Sequence, residues 1–206
     1  VLALEPPSIY VTEGDFPISA RALGTDDDAY VIIAKPLVDL LSPEELVAVI
    51  GHELGHIQNN HILYTTALFY LRHSAAMFVR WIVQPAIMAL QAWSRRAEVT
   101  CDRAALLCTR DVDTALRALV KAALAEQGKT DFGDLSGHLS EEAEDDRGIS
   151  KYADLFRSHP YLGKRIPALR VFAEGRFYKK FSGQESEQGL SAEEVDEQVS
   201  DLVSVF

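Results

Sequence analysis

The chain has 206 residues, enough to bury a substantial core in one domain, or in one domain with an appendage. A formal net charge of −11 on an ordinary globular composition lacks the basic footprint of a nucleic-acid binder, so nucleic acid is excluded as a partner. Much of the acid sits in SEEAEDDRG (140–148) and in the tail from Ser182, which has seven acids and no base and leaves a body of only −4.

Residues 1–28 mix Pro, Gly and Asp and read as irregular structure with a short strand near SIYVTE. The chain opens at Val1 without a basic segment leading an apolar run. It therefore reads as processed or trimmed, which leaves a removed leader or anchor open. The expected location is the cytoplasm or a membrane periphery. AYVIIA (29–34) is apolar and β-branched and predicts a strand, taken as an edge along which a peptide pairs. Ser42-Pro43-Glu44-Glu45 starts a helix: Ser42 caps, Pro43 suits the first turn, and Glu45 completes a capping box. Leu46, Val49, Ile50, Leu54 and Ile57 then recur at helical spacing.

Residues 62–93 are strongly apolar but interrupted by Arg72, His73 and Arg80, and Pro85 should break or kink them. Their longest uncharged run, Trp81–Ser94, is shorter than the ~18 residues that span a bilayer. The plainer expectation is a buried helical hairpin; the other is peripheral membrane contact by a hairpin lying on the surface. Helical pattern resumes to Thr109 and again over 113–126, ending near Gly128. A polar loop follows over 128–148, then a short helix near 150–157 and another over 161–173. Cys101 and Cys108 are seven apart on one helix, roughly 10 Å of rise, too far for a disulfide. In the tail, Ser191 and Glu194 form a capping-box pattern ahead of an apolar face of Val195, Val199, Leu202, Val203 and Phe206. This face can dock on the body or support self-association. The expected division is a domain over 1–181 and an acidic tail with an amphipathic helix over 182–206.

The chemistry concentrates in VIGHELGHIQNNH (49–61). His52 and His56 are four apart, so both imidazoles project from one helical face and can reach one Zn²⁺ at ~2.0–2.1 Å. Glu53, beside the first histidine, is the residue placed to take a proton from a metal-activated water. A short HExxH also occurs by chance. Here a capped helix carries it, and Gly51 and Gly55 each cost ~1 kcal/mol against alanine in a helix interior, which suggests close approach of another backbone. His61 is expected not to ligate but to be packed or hydrogen-bonded near the helix end. It follows His56 by five rather than six, with Asn59 where the H-E-x-x-H-x-x-G-x-x-H pattern needs glycine. A third ligand must come from elsewhere. Glu98 and Asp102, four apart in WSRRAEVTCDRAALL, can be aimed together: Glu98 as ligand, Asp102 as acceptor for a histidine ring N–H. Spacing alone leaves Glu98 equally readable as a solvated residue paired with Arg95 or Arg103. Cys101 competes for the ligand role but reads better as a small packing residue.

Three blocks in order, LSPEELVAVIGHELGHIQNNH, SRRAEVTCDRAALL and SHPYLGKRI, resemble the M48 family of zinc metallopeptidases, relatives of HtpX and of the CAAX-processing proteases. The resemblance covers roughly 16–173. The second block follows S-R-x-x-E-x-x-A-D-R with Cys101 in the usual alanine place; the third follows H-P-x-x-x-x-R. It implies an α+β, mostly helical, gluzincin-like domain with a small sheet flanking the active-site helix. It implies one Zn²⁺ per chain on His52, His56 and Glu98, with Glu53 as proton acceptor. It also implies His159 as a donor to the developing oxyanion, and gives Asp102 and Arg165 supporting places behind the ligands. Ser19 stands where the family often has an asparagine near the substrate, which puts that contribution in doubt. The expected activity is a zinc-dependent metalloendopeptidase acting on peptide or protein substrates. The alternative is a proteolytically weak or latent relative serving as a protein-binding or membrane-associated module.

Overall fold

The computed structural model describes residues 2, 4–13, 17–25, 28–74, 77–132, 161–184 and 187–204. Three strands, β1 (Ser8–Thr12), β2 (Ala20–Gly24) and β3 (Ala29–Ala34), form one sheet in the order β1-β3-β2. β3 runs parallel to β1, with Ser8 opposite Tyr30, and antiparallel to β2, with Ala22 opposite Val31. AYVIIA is thus the central strand, not the expected edge. Its near-continuous apolar run is what a strand paired on both sides needs, and Val31 and Ile33 are its fully buried residues. The edges fall to the more polar β1 and to β2.

β3 passes directly into α1 (Lys35–Leu40), and α2 (Pro43–Gln58) starts on the expected capping box. Ser42 Oγ accepts from Glu45 N–H at 3.2 Å, and the Glu45 carboxylate accepts from Ser42 N–H at 2.9 Å. That carboxylate is buried and also meets Lys121 Nζ at 2.8 Å, tying the start of α2 to α5 (Val112–Glu126). Asn60 takes a left-handed conformation (φ 55°) and turns the chain into α3 (His61–Ser74).

The long helix α4 (Met77–Thr109) contains Pro85 without interruption. The expected break is absent: Pro85 lies on an exposed face and the helix continues through it. α3 and the first half of α4 do make a helical hairpin, but not a buried one. Leu63, Tyr64, Tyr70, Ile82 and Met88 stand exposed, because among the described residues no third element covers that side. No helix among the described residues is long and apolar enough to cross a membrane.

The second half of α4 crosses α2 at close range. A Cβ on Gly55 would stand 3.0 Å from Cys101 Cα, and one on Gly51 would stand 2.9 Å from Cys108 Cβ. The two helix-interior glycines therefore mark the approach that their cost implied. Two apolar clusters flank this crossing. One joins β3, α1, α2 and α5 through Val31, Leu37, Val49 and Ala118. The other joins α4 and α5 to α6 (Leu162–Ala173), α7 (Arg176–Ser182) and α8 (Ala192–Ser204). Val195 and Val199 of α8 are buried in it, so the apolar face of the tail helix is occupied by the body of the same chain. Its capping box forms as read, with Ser191 N–H donating to Glu194 at 2.7 Å. The helix expected near 150–157 and most of the 128–148 loop lie outside the described residues.

Candidate metal centre

The α2–α4 crossing brings the two chemical motifs together. His52 Nε2 lies 3.4 Å from Glu98 Oε2, and His56 Nε2 lies 3.6 Å from Glu98 Oε1. A tetrahedral ion with bonds of ~2.0–2.1 Å spaces its ligands about 3.3 Å apart, so this donor set fits a zinc-sized ion. The back of the site is polar and paired. His52 Nδ1 faces Asp102 Oδ1 at 3.0 Å. Arg165 donates from Nε to Asp102 Oδ2 at 2.7 Å and from Nη2 to Oδ1 at 2.6 Å, while its Nη1 reaches Glu98 Oε2 at 3.1 Å. One guanidinium on α6 thus holds both acids of α4.

Burial acts against every charge here, and the partners decide the outcome. It works to lower the pKa of His52, but Asp102 and Glu98 overcome it and raise it to about 10. His56, buried and facing a cationic His52, is pushed down to about 4. Burial would raise the Glu98 and Asp102 carboxyls, yet Arg165 and the histidines hold both below the usual carboxylate range. Burial raises Glu53. Without a metal, the acids on α4 keep a proton on His52; a divalent cation competes for the same position.

Glu53 points toward the sheet. Its Oε2 accepts from Ala22 N–H of β2 at 2.6 Å. The cleft above the site, about 740 Å³, is bounded by β2, by His52, Glu53 and Glu98, by α3 at Thr65 and Tyr70, and by α5 at Leu119. Ser19 lies at its rim with its hydroxyl turned to Pro17 O at 3.2 Å. His159 lies outside the described residues.

His61 opens α3 and returns to the back of His56, where its Nδ1 lies 3.3 Å from His56 Nδ1. Cys101, fully buried under Gly55, places Sγ 3.5 Å from the same His61 nitrogen. Ligand atoms of His52, His56 and Cys101 also fall within 4.8 Å of one another, so a thiolate shell has to be weighed. The geometry disfavours it: Glu98 faces the Nε2 edges of both histidines, whereas Cys101 Sγ meets His61 at the nitrogen that faces the Nδ1 edge of His56. Sequence reasoning missed the Ala22 N–H on Glu53, which carries no side-chain signal. It expected His61 to pack or hydrogen-bond near the helix end but did not name His56 as its partner.

A helix carrying HExxH, packed on a helix that supplies a facing glutamate, beneath the edge of a small sheet, is the arrangement of an α+β metallopeptidase domain. The family model described as "Peptidase family M48" matches residues 2–173, and the chain belongs to that family. It is 32% identical over 126 residues to the plastoglobule-localized metallopeptidase 48 of Arabidopsis thaliana, across 60% of this chain and 37% of that protein. It is 26% identical over 193 residues to the protease HtpX homolog of Salinibacter ruber, across 82% of this chain and 69% of that protein. The HtpX homolog of Streptococcus gordonii gives 26% over 207 residues with the same shares. No solved structure matches the chain.

Proposed function

We propose that the protein is a zinc-dependent endopeptidase in which His52, His56 and Glu98 hold one Zn²⁺ and Glu53 moves the proton. The observation carrying this reading is the approach of two imidazole Nε2 atoms to one carboxylate, 3.4 and 3.6 Å away, beside Glu53 in an open cleft. Bound there, zinc would lower the pKa of a water and polarise a peptide carbonyl. Glu53 accepts the proton of the attacking water and passes it to the leaving amine; burial, which raises its pKa, makes it the better proton acceptor. An extended peptide pairs along the free edge of β2. Doing so, it competes with Glu53 for the Ala22 N–H, so docking of substrate frees the base. Asp102 and Arg165 keep the acids and the His52 ring in place. His159 is assigned to the oxyanion on the H-P-x-x-x-x-R resemblance alone.

Cleavage of unfolded casein, blocked by a chelator and restored by zinc, is the expected behaviour. Glu53→Gln should keep stoichiometric zinc and lose about 10²–10⁴-fold in turnover. Full cleavage by a zinc-loaded Glu53→Gln protein would sink the mechanism.

A second reading, contact of the hairpin with a lipid surface, is favoured by one observation. Residues 54–97 contain no acid and four arginines in a chain of net charge −11, and the described part of that hairpin exposes Tyr70, Ile82 and Met88. Flotation with anionic liposomes but not with neutral ones is expected; no flotation with either removes this reading.

A further inference from the structure

The two histidines of the centre are backed by different chemistry. His52 Nδ1 faces a carboxylate, Asp102, at 3.0 Å. His56 Nδ1 faces another imidazole, His61 Nδ1, at 3.3 Å. Two imidazole nitrogens at that distance form a hydrogen bond only if one carries a proton and the other a lone pair. A His56 that offers the Nε2 lone pair to a metal keeps its proton on Nδ1. The proton then points at His61, whose Nδ1 must be bare and whose own proton sits on Nε2.

We propose that His61 is the positioning residue of His56. It accepts the His56 Nδ1–H, fixes the tautomer and ring angle, and so aims Nε2 toward Glu98, as Asp102 does for His52. The inference rests on the zinc reading of His52, His56 and Glu98.

The surroundings of His61 suit this role. Its side chain begins α3, immediately after the left-handed Asn60, and this turn brings a residue five positions on back to the His56 ring. His61 is only 6% exposed. Its ring is wedged edge-to-face between His56 and Trp93, with centroids 5.2 and 5.0 Å away. Cys101 Sγ, 3.5 Å from the same nitrogen, competes poorly, because one lone pair serves one strong donor and S–H is a weak one. The shell that results is asymmetric: one ligand histidine is polarised by an anion, the other by a neutral ring.

The test is zinc affinity of the full chain, measured by competition with a chromophoric chelator. His61→Leu should weaken zinc about 10–100-fold. His61→Asn, whose Oδ1 can accept near the place of Nδ1, should recover most of that loss. Cys101→Ala should leave affinity unchanged. Independently of any variant, ¹⁵N spectra of the zinc-loaded wild type should show His61 protonated at Nε2. Wild-type affinity in His61→Leu, or His61 protonated at Nδ1, overturns the proposal. So does a loss in Cys101→Ala equal to that in His61→Leu without rescue by asparagine. A wild type that takes up no zinc sinks the zinc reading as well, whereas tight wild-type zinc with an indifferent His61→Leu sinks this inference alone.

Discussion

Between Ala97 and Leu106, α4 buries Ala97, Val99, Cys101, Asp102, Ala104, Ala105 and Leu106 against α2 and α6, and two of its side chains, Glu98 and Asp102, reach the candidate metal centre. Between Ile82 and Met88 the same helix leaves Ile82 78% exposed and Met88 61% exposed, with Ile87 the buried member of that turn. Both halves are continuous α-helix through Pro85, so local backbone propensity does not separate them. What separates them is the partner. Over one half two glycines let α2 come within contact of the backbone; over the other, the principal neighbour among the described residues is α3. Apolar residues are not sufficient to make a core, and small residues at a crossing can matter more than large ones.

Breaking the buried half should cost most at its charges. Arg165→Leu leaves Asp102 and Glu98 without their cation and should destabilise the metal-free protein by about 3–5 kcal/mol, read by denaturant unfolding. The deficit should depend on pH. Burial tends to raise the Asp102 pKa, but Arg165 holds it low in the folded wild type. The stabilisation is therefore present above the unfolded carboxylate value of ~3.9 and fades as pH falls through the folded one. Wild type and variant should converge in acid; a gap independent of pH would mean that Arg165 acts by packing alone.

A smaller effect is expected at the crossing. Gly55→Ala gains helix propensity but drives a methyl to 3.0 Å from the Cys101 backbone, for a net loss of about 1–2 kcal/mol. Because the same displacement parts His52 and His56 from Glu98, zinc affinity should fall with stability. A stabilised Gly55→Ala protein with unchanged zinc binding would show that the crossing has slack. The exposed half should be the least sensitive: Ile82→Ser is expected to move the melting free energy by no more than about 0.5 kcal/mol. A larger loss would mean that something does cover this face.

Much of the site was legible before any fold was known, and the reasons are local. His52 and His56 share a face because four residues make about one helical turn. Ser42 and Glu45 cap because each reaches a free backbone N–H nearby. Gly51 and Gly55 signalled a close neighbour through their helix cost, and Asp102 was paired with a ligand histidine by spacing with Glu98. Other features were not legible. AYVIIA looked like any apolar strand, and nothing in those six residues says whether both of its edges are paired. Pro85 carried a general rule, and the helix nonetheless continues through it. Residues 62–93 were apolar enough for a core, but coverage by other elements is not a property of the segment. His61 was expected not to ligate, but five residues of spacing did not say that its ring would lie at the Nδ1 edge of His56.

The sequence by itself determined the HExxH helix, its cap, the two histidines with their acid, and the approximate limits of most helices, because these depend on contacts spanning no more than a few residues. The tertiary structure decided what depends on residues far apart along the chain. It set Glu98 across from both Nε2 atoms, placed Arg165 between two acids, and put Ala22 N–H on Glu53. It also buried α4 around residues 97–106 and left Ile82 and Met88 of the same helix exposed. Each of these is fixed by how closely two elements pack, and that distance is set by the side chains of both at once.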